Sequence, residues 1–263
     1  MMKLAGSVAC VAGLAFFAVA NGQPKAPEPA PAAQPAAKLT AAELIEKVKA
    51  KYSGAKTYRD EGVLTATYQT APRHTETKPF STAFERNGGF LWEFRAAATP
   101  GAKPTSKYVV WSKNQKQFAS WWTVKGKQDS FTTFDMAMAG PTGISGGSAT
   151  AVVPLLRGIR VTDFGSLRSP ELKGQEKIDG INCQILTGKS GFSDGEETYW
   201  IDADSAIRKI RRVETIDPTK APGPDGKPGV GAKFTVDTVI TFQPEFDVKM
   251  EPKAFEFVPP GKK

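Results

Sequence analysis

Phe80-Ser-Thr82-Ala-Phe84-Glu-Arg-Asn87-Gly88-Gly89-Phe90-Leu-Trp92-Glu-Phe94-Arg95 is the stretch that decides the fold. On both sides of Asn87-Gly88-Gly89, large apolar side chains fall on every second residue. Successive side chains of a strand point to opposite sides of the pleat, so this period of two marks a strand with one buried face. The intervening Asn-Gly pair is hairpin chemistry. Phe80, Thr82 and Phe84 therefore share a face with Phe90, Trp92 and Phe94 on the next, antiparallel strand.

The same period extends outward in both directions. It begins near Tyr58 and continues through Lys107–Ser112 and Gln117–Val124, joined by Lys113-Asn114. It resumes at Leu172–Lys177 and passes the hairpin dipeptide Asp179-Gly180, after which Ile181, Cys183 and Ile185 are expected on one face. Thr198–Asp202, the turn Ala203-Asp204-Ser205 and Ala206–Glu214 follow. Phe234, Val236, Thr238, Ile240 and Phe242 alternate again. These runs amount to about nine to eleven strands, with connections too short for crossover helices, which requires antiparallel neighbours.

One helix precedes the strands. Thr40 and Glu43 have capping-box spacing, and Ala41, Leu44, Ile45, Val48 and Tyr52 recur at helical spacing before Ser53-Gly54. A single apolar stripe must be buried against a larger surface, and the sheet is the one available. The strand pattern stops once more, over residues 134–158. Two short helix-like runs there flank Thr142–Gly147, the first ending at Gly140-Pro141 and the second capped by Ser148 or starting afresh at Pro154. The fold class is thus mainly β (α+β), a single curved antiparallel sheet forming an incomplete barrel. An N-terminal helix and a mid-chain helical lid at about 134–158 cover its concave face. The lid hinge is expected at Gly140, Gly143, Gly146 and Gly147.

At 263 residues, 40% of them hydrophobic, the chain can bury a substantial core. Lys3, the apolar run Leu4–Phe17 and Ala18-Val19-Ala20 read as an export signal cleaved after Ala20, giving a periplasmic protein. Cys10 fits a lipoprotein box poorly, because the tether behind it would be apolar. Residues 21–38, rich in Ala and Pro, form an extended linker, and residues 39–263 form the domain. The mature chain keeps one cysteine, Cys183, expected in a buried strand. The net charge of +8, one less without Lys3, favours anionic partners. For an exported protein these are a membrane surface or an envelope protein and not nucleic acid.

Several motifs resemble catalytic or binding signatures without their context. Gly143-Ile-Ser145-Gly-Gly147 matches G-x-S-x-G, but no strand precedes it and the only histidine, His74, comes earlier in the chain, expected in a surface loop. Lone His74 offers no metal set. The acidic pairs Asp60/Glu61, Glu196/Glu197 and Asp202/Asp204 read as solvated strand or turn residues. Gly226, Gly229, Gly231 and Lys233 lack phosphate-loop spacing, and residues 217–231 read as a long exposed Pro/Gly loop. No cofactor pattern is present. The densest basic run, Arg208, Lys209, Arg211 and Arg212, is either an outer strand face or a docking surface.

Two groups of residues carry a family resemblance. Tyr199-Trp200-Ile201-Asp202 followed by Ile207-Arg-Lys-Ile210, and the closing Phe255-x-Phe257-x-Pro-Pro, resemble the LolA/LolB-like lipoprotein-localisation factor superfamily. The run Ala137–Gly147 resembles a bacterial subfamily of predicted periplasmic proteins of unassigned function. The likeness spans most of residues 40–260 and implies an unclosed barrel whose concave apolar face takes lipid or lipoprotein acyl chains, or serves an envelope sensor. It aligns no lid-latching arginine.

Three functions follow. The first is a hydrophobic-ligand carrier or sensor for lipid or an acylated lipoprotein, with a cavity between sheet and lid lined by Phe80, Phe84, Phe90, Trp92, Phe94, Met136, Met138, Leu155, Leu156, Phe234 and Phe242. The second is a sensor or scaffold of the same fold with a filled core and a protein partner on the Arg208–Arg212 strand. The third is a serine esterase using Ser145; with no base in sequence context, the chain is expected not to be an enzyme.

Overall fold

The computed structural model describes residues 39–97, 102–159, 162, 164–191, 193–220 and 231–261. The export signal, the Ala/Pro linker and most of the expected 217–231 loop lie outside these residues.

Helix α1 (Ala41–Gly54) opens the domain, and its capping box is formed: the Thr40 hydroxyl accepts from the Glu43 amide, and the Glu43 carboxylate accepts from the Thr40 amide. Strands β1 (Thr57–Tyr68), β2 (His74–Glu85), β3 (Phe90–Ala96), β4 (Ser106–Ser112), β5 (Phe118–Trp122) and β6 (Lys127–Phe131) follow as an antiparallel meander. Helices α2 (Phe134–Ile144), α3 (Ser148–Ala151) and α4 (Val153–Leu156) then interrupt the sheet. A second meander comprises β7 (Arg168–Ile178), β8 (Ile181–Lys189), β9 (Glu196–Asp202), β10 (Ile207–Ile216) and β11 (Phe234–Phe242). The two-residue β12 (Glu245–Phe246) pairs with the start of β1.

The strand order is β6-β5-β4-β3-β2-β1-β11-β10-β9-β8-β7, so the two meanders join where β1 pairs with β11. β6 and β7 are the free edges. The segment carrying α2–α4 leaves one edge and re-enters at the other, and its apolar side chains join those of the sheet in one core. Edge strand β7 is largely exposed, polar and interrupted by two register shifts, features that discourage pairing with another chain.

Local chemistry accounts for the turns. Asp179 and Gly180 both have positive φ (49° and 83°), as the tight β7–β8 hairpin requires. The Phe84–Phe90 pair closes the β2–β3 hairpin, but Gly88 and Gly89 do not take positive φ there. Gly89 is needed for another reason: a Cβ would stand 2.1 Å from Cγ of Phe255, which packs over the turn.

The structure adds the facing of β8 and β10 and moves His74 from a loop into a strand. On β8, Cys183 is buried but Ile181 is exposed and Ile185 half-buried, while Leu186, of opposite parity, enters the main core. On β10, a bulge at Arg208 lets Ile207 and Ile210, three residues apart, both reach the core. His74 is the first residue of β2 rather than a loop residue, and its ring stacks on Tyr68 at 4.5 Å.

Candidate functional site

The concave face is built from three parallel rows of side chains set by the strand register. One row runs Trp122, Tyr108, Phe94, Phe80 and Phe242 across five strands, passing over Gly62 of β1. Phe94 and Tyr108 are stacked at 6.3 Å, and Phe80 meets Phe242 edge-on at 5.5 Å. Gly62 makes room for this row, since a Cβ there would lie 2.2 Å from Cζ of Phe80. A second aromatic row contains Phe90, Phe84, Tyr58 and Phe246. Between them lies a mixed row of Ser120, Val110, Trp92, Thr82 and Asp60.

The lid rests on these rows. Phe134, at the start of α2, is wedged between Phe90 (5.5 Å) and Phe118 (5.8 Å), with the Arg157 guanidinium over its other side at 4.6 Å. Arg157 also donates to Gln115 of the β4–β5 hairpin, whose amide in turn reaches the Glu85 carbonyl. Met138, Leu155 and Leu156 are buried, and α4 packs on α1. Met136 is exposed and does not face the sheet rows. Phe234 is half-buried at the far end of β11 beside Tyr68, away from the other ten residues expected to line a cavity.

The lid is more continuous than its sequence suggests. α2 does not stop at Gly140-Pro141 but runs through Pro141 to Ile144, with the Thr142 hydroxyl donating to the Met138 carbonyl in the turn that proline disturbs. Helices begin both at Ser148 and at Val153. Of the four glycines expected to form the hinge, Gly140 and Gly143 lie within α2; Gly140 allows close contact with the Tyr108 hydroxyl, 2.7 Å from where a Cβ would be. Gly146 and Gly147 make the break, with φ of 63° and 102°.

Gly147 sits directly on a buried ion pair that the sequence did not reveal. A Cβ on Gly147 would lie 2.3 Å from Nη1 of Arg212, and Nε of Arg212 is 3.6 Å from the Glu197 carboxylate, which also accepts from the Tyr199 hydroxyl. Arg212 has inward parity on β10. Its membership of a basic run masked this, because a run of like charges reads as a solvated face. The run is in fact dispersed: Arg208 pairs with buried Asp202, Arg211 with Asp237, and Lys209 lies over the Trp200 ring. The acidic pairs are likewise split by parity. Asp60 and Glu197 are buried on the concave side, and Asp202 is buried while capping the β9–β10 turn through the Asp204 and Ala206 amides.

Burial pushes the Asp60 carboxyl up to about 6, against the Tyr58 hydroxyl, which donates to it at 2.6 Å, and the nearby Thr82 dipoles. Burial likewise raises Tyr58 and Tyr52. Ser145 is fully buried, and its Oγ accepts from the Ala149 amide at 3.2 Å, which engages this serine with the first turn of α3. Among the described residues no group of three or more His, Cys, Asp or Glu is placed to hold a metal ion.

The unclosed antiparallel sheet with helices over its concave face is the architecture that the resemblance implied. No protein-family model matches the chain, and no curated protein does. Similar solved structures include a LolA superfamily protein from Nitrosomonas europaea (9% identity, 84% of this chain and 99% of that one, TM-score 0.33). Lipoprotein LppX from Mycobacterium tuberculosis (11% identity, 80% and 97%, TM-score 0.42) is another. A third is the MucA/MucB complex from Pseudomonas aeruginosa (9% identity, 83% and 61%, TM-score 0.40). Likeness of this degree names neighbours; what the site can do is read from its own residues. No helix among the described residues is long and apolar enough to cross a membrane.

Proposed function

We propose that this is an exported, periplasmic binding protein for hydrophobic ligands, carrying or sensing lipid or lipoprotein acyl chains between the sheet and the α2–α4 lid. One observation carries the reading: two aromatic rows spanning most of the concave face are covered by helices too short to be stable on their own. α3 and α4 have four residues each, and helices of that length persist only while docked. The lid breaks at two left-handed glycines; besides its apolar burial it is held by Arg157 over Phe134 and by the Gly147–Arg212 contact. In the closed form the lid side chains occupy the place an acyl chain would take, so binding requires the lid to lift.

A scaffold or sensor with a permanently filled core is the second reading, and the close packing of Phe84, Phe90 and Trp92 beneath the helices favours it. Its expected docking surface fares less well, since Arg208, Arg211 and Arg212 each have an acidic partner within the sheet. Native mass spectrometry of protein isolated from its own envelope, combined with titration of the uncharged apolar dye N-phenyl-1-naphthylamine, separates the two. The carrier reading expects co-purifying acyl ligands and a rise in dye emission on binding. A ligand-free spectrum with no dye uptake would falsify it and leave the scaffold.

A further inference from the structure

The mixed row between the two aromatic rows is anomalous for an apolar binding face. Asp60, Thr82 and Trp92 occupy facing register positions on β1, β2 and β3, and all three are at most 1% exposed. Oδ1 of Asp60, Oγ1 of Thr82 and Nε1 of Trp92 make no hydrogen bond of good geometry, although the Thr82 hydroxyl and amide lie near enough to Asp60 to favour its carboxylate. One buried unsatisfied polar atom is unusual, and three side by side under a cover demand a partner. Neighbours on one face of a sheet stand about 5 Å apart, so Thr82 adjoins both others, and a headgroup carrying two hydroxyls spans the row from Asp60 to Trp92.

We infer that Asp60, Thr82 and Trp92 form a subsite for the uncharged, hydroxyl-bearing headgroup of a lipid whose acyl chain lies along the flanking aromatic rows. This assignment rests on the carrier reading above. The chemistry of the three atoms selects the headgroup. Trp92 Nε1–H only donates, Asp60 Oδ1 accepts when ionised, and Thr82 does either. One hydroxyl can accept from the indole while a second, on the next carbon, donates to the carboxylate. A fatty-acid carboxylate or a phosphate would instead bring a second negative charge against Asp60 in a site without water screening. The Tyr58 hydroxyl holds the other Asp60 oxygen, which leaves Oδ1 directed to the ligand.

The test is displacement of bound N-phenyl-1-naphthylamine at pH 8 by 1-monooleoylglycerol and by oleate, which differ in headgroup and share a chain. The wild-type protein is expected to favour the monoglyceride by about 10-fold or more, the scale of one or two satisfied hydrogen bonds. Thr82→Val removes the hydroxyl at nearly unchanged shape and Trp92→Phe removes the indole N–H with one ring, and each should shrink that preference to about 3-fold or less, read as the ratio of the two displacement constants within each variant. Equal displacement by the two lipids in the wild type, or a preference undiminished in both variants, overturns the headgroup subsite while the carrier reading stands. Dye that never binds overturns the carrier reading and the subsite with it. The wild-type comparison decides the matter even if a variant does not fold.

Discussion

Asp60 shows how one residue can report on the whole concave face. Its carboxyl ionises at 3.8 ordinarily and at about 6 in the fold. The folded chain therefore holds a proton, between about pH 4 and 6, that the unfolded chain has released. The resulting stabilisation is fully present below about pH 4 and is lost as pH rises through 6, up to ~3 kcal/mol for a shift of this size. Thermal melts of the wild type and Asp60→Asn between pH 4 and 8 should show this increment in the wild type alone. Identical pH slopes would mean that Asp60 is solvated. Gly147 gives a second test at this scale. Valine there must adopt a φ of 102° and displace Arg212, at a cost of ~1–3 kcal/mol. Amide exchange should accelerate across residues 134–157 and not in β1–β3; uniform acceleration would contradict a locally docked lid. Neither residue's role was legible beforehand. Asp60 lies in an acidic pair and Gly147 in a glycine cluster, and only the neighbours across the sheet distinguish them from ordinary solvated or turn residues.

At the scale of elements, α1 was the most legible, because the capping box and the 3.6-residue spacing of Leu44, Ile45, Val48 and Tyr52 are local. Its docking was not. The Tyr52 hydroxyl accepts from the Ile207 amide at 3.1 Å, 155 residues away, and its ring packs against Tyr58 and Phe246. The β10 bulge turns that amide out of the ladder and toward the helix. Tyr52→Phe should cost ~1–3 kcal/mol in denaturant unfolding by leaving the amide unpaired. A loss within error would show that water reaches the bulge. The strands were readable wherever one face was apolar. The facing of β10 was not readable, because the bulge at Arg208 resets parity between Ile207 and Ile210, and such a shift is set by the partner strand. Helices α2–α4 run between Phe134 and Leu156, with breaks that the sequence pattern did not locate. Pro141 suggested an end that packing of Phe134 and Met138 overrides.

At the scale of the molecule, the strand order explains why a lid exists. The two meanders end on opposite edges, so the chain between β6 and β7 must pass from one edge to the other. On the opposite, convex face the C-terminal segment does similar work: Phe255 sits over Gly89, and Phe257 packs between Trp111 (5.0 Å) and Trp121 (5.6 Å). Phe255→Ala should cost ~3 kcal/mol as a buried aromatic truncation. Half-buried Phe257→Ala should cost less while shifting tryptophan emission to longer wavelength. An unshifted spectrum would mean that Phe257 does not cover those indoles.

Residue order alone specifies what is local or strictly periodic: the capped helix, the alternating strands, the hairpin at Asp179-Gly180, the interruption over 134–158, and hence an antiparallel sheet with helical cover. Only the tertiary packing shows which charged residues face inward, which glycines separate the helices, and that polar atoms of Asp60, Thr82 and Trp92 line up between two aromatic rows. Those facts depend on register and on contacts between strands far apart in the chain, and single-chain periodicity carries no information about either.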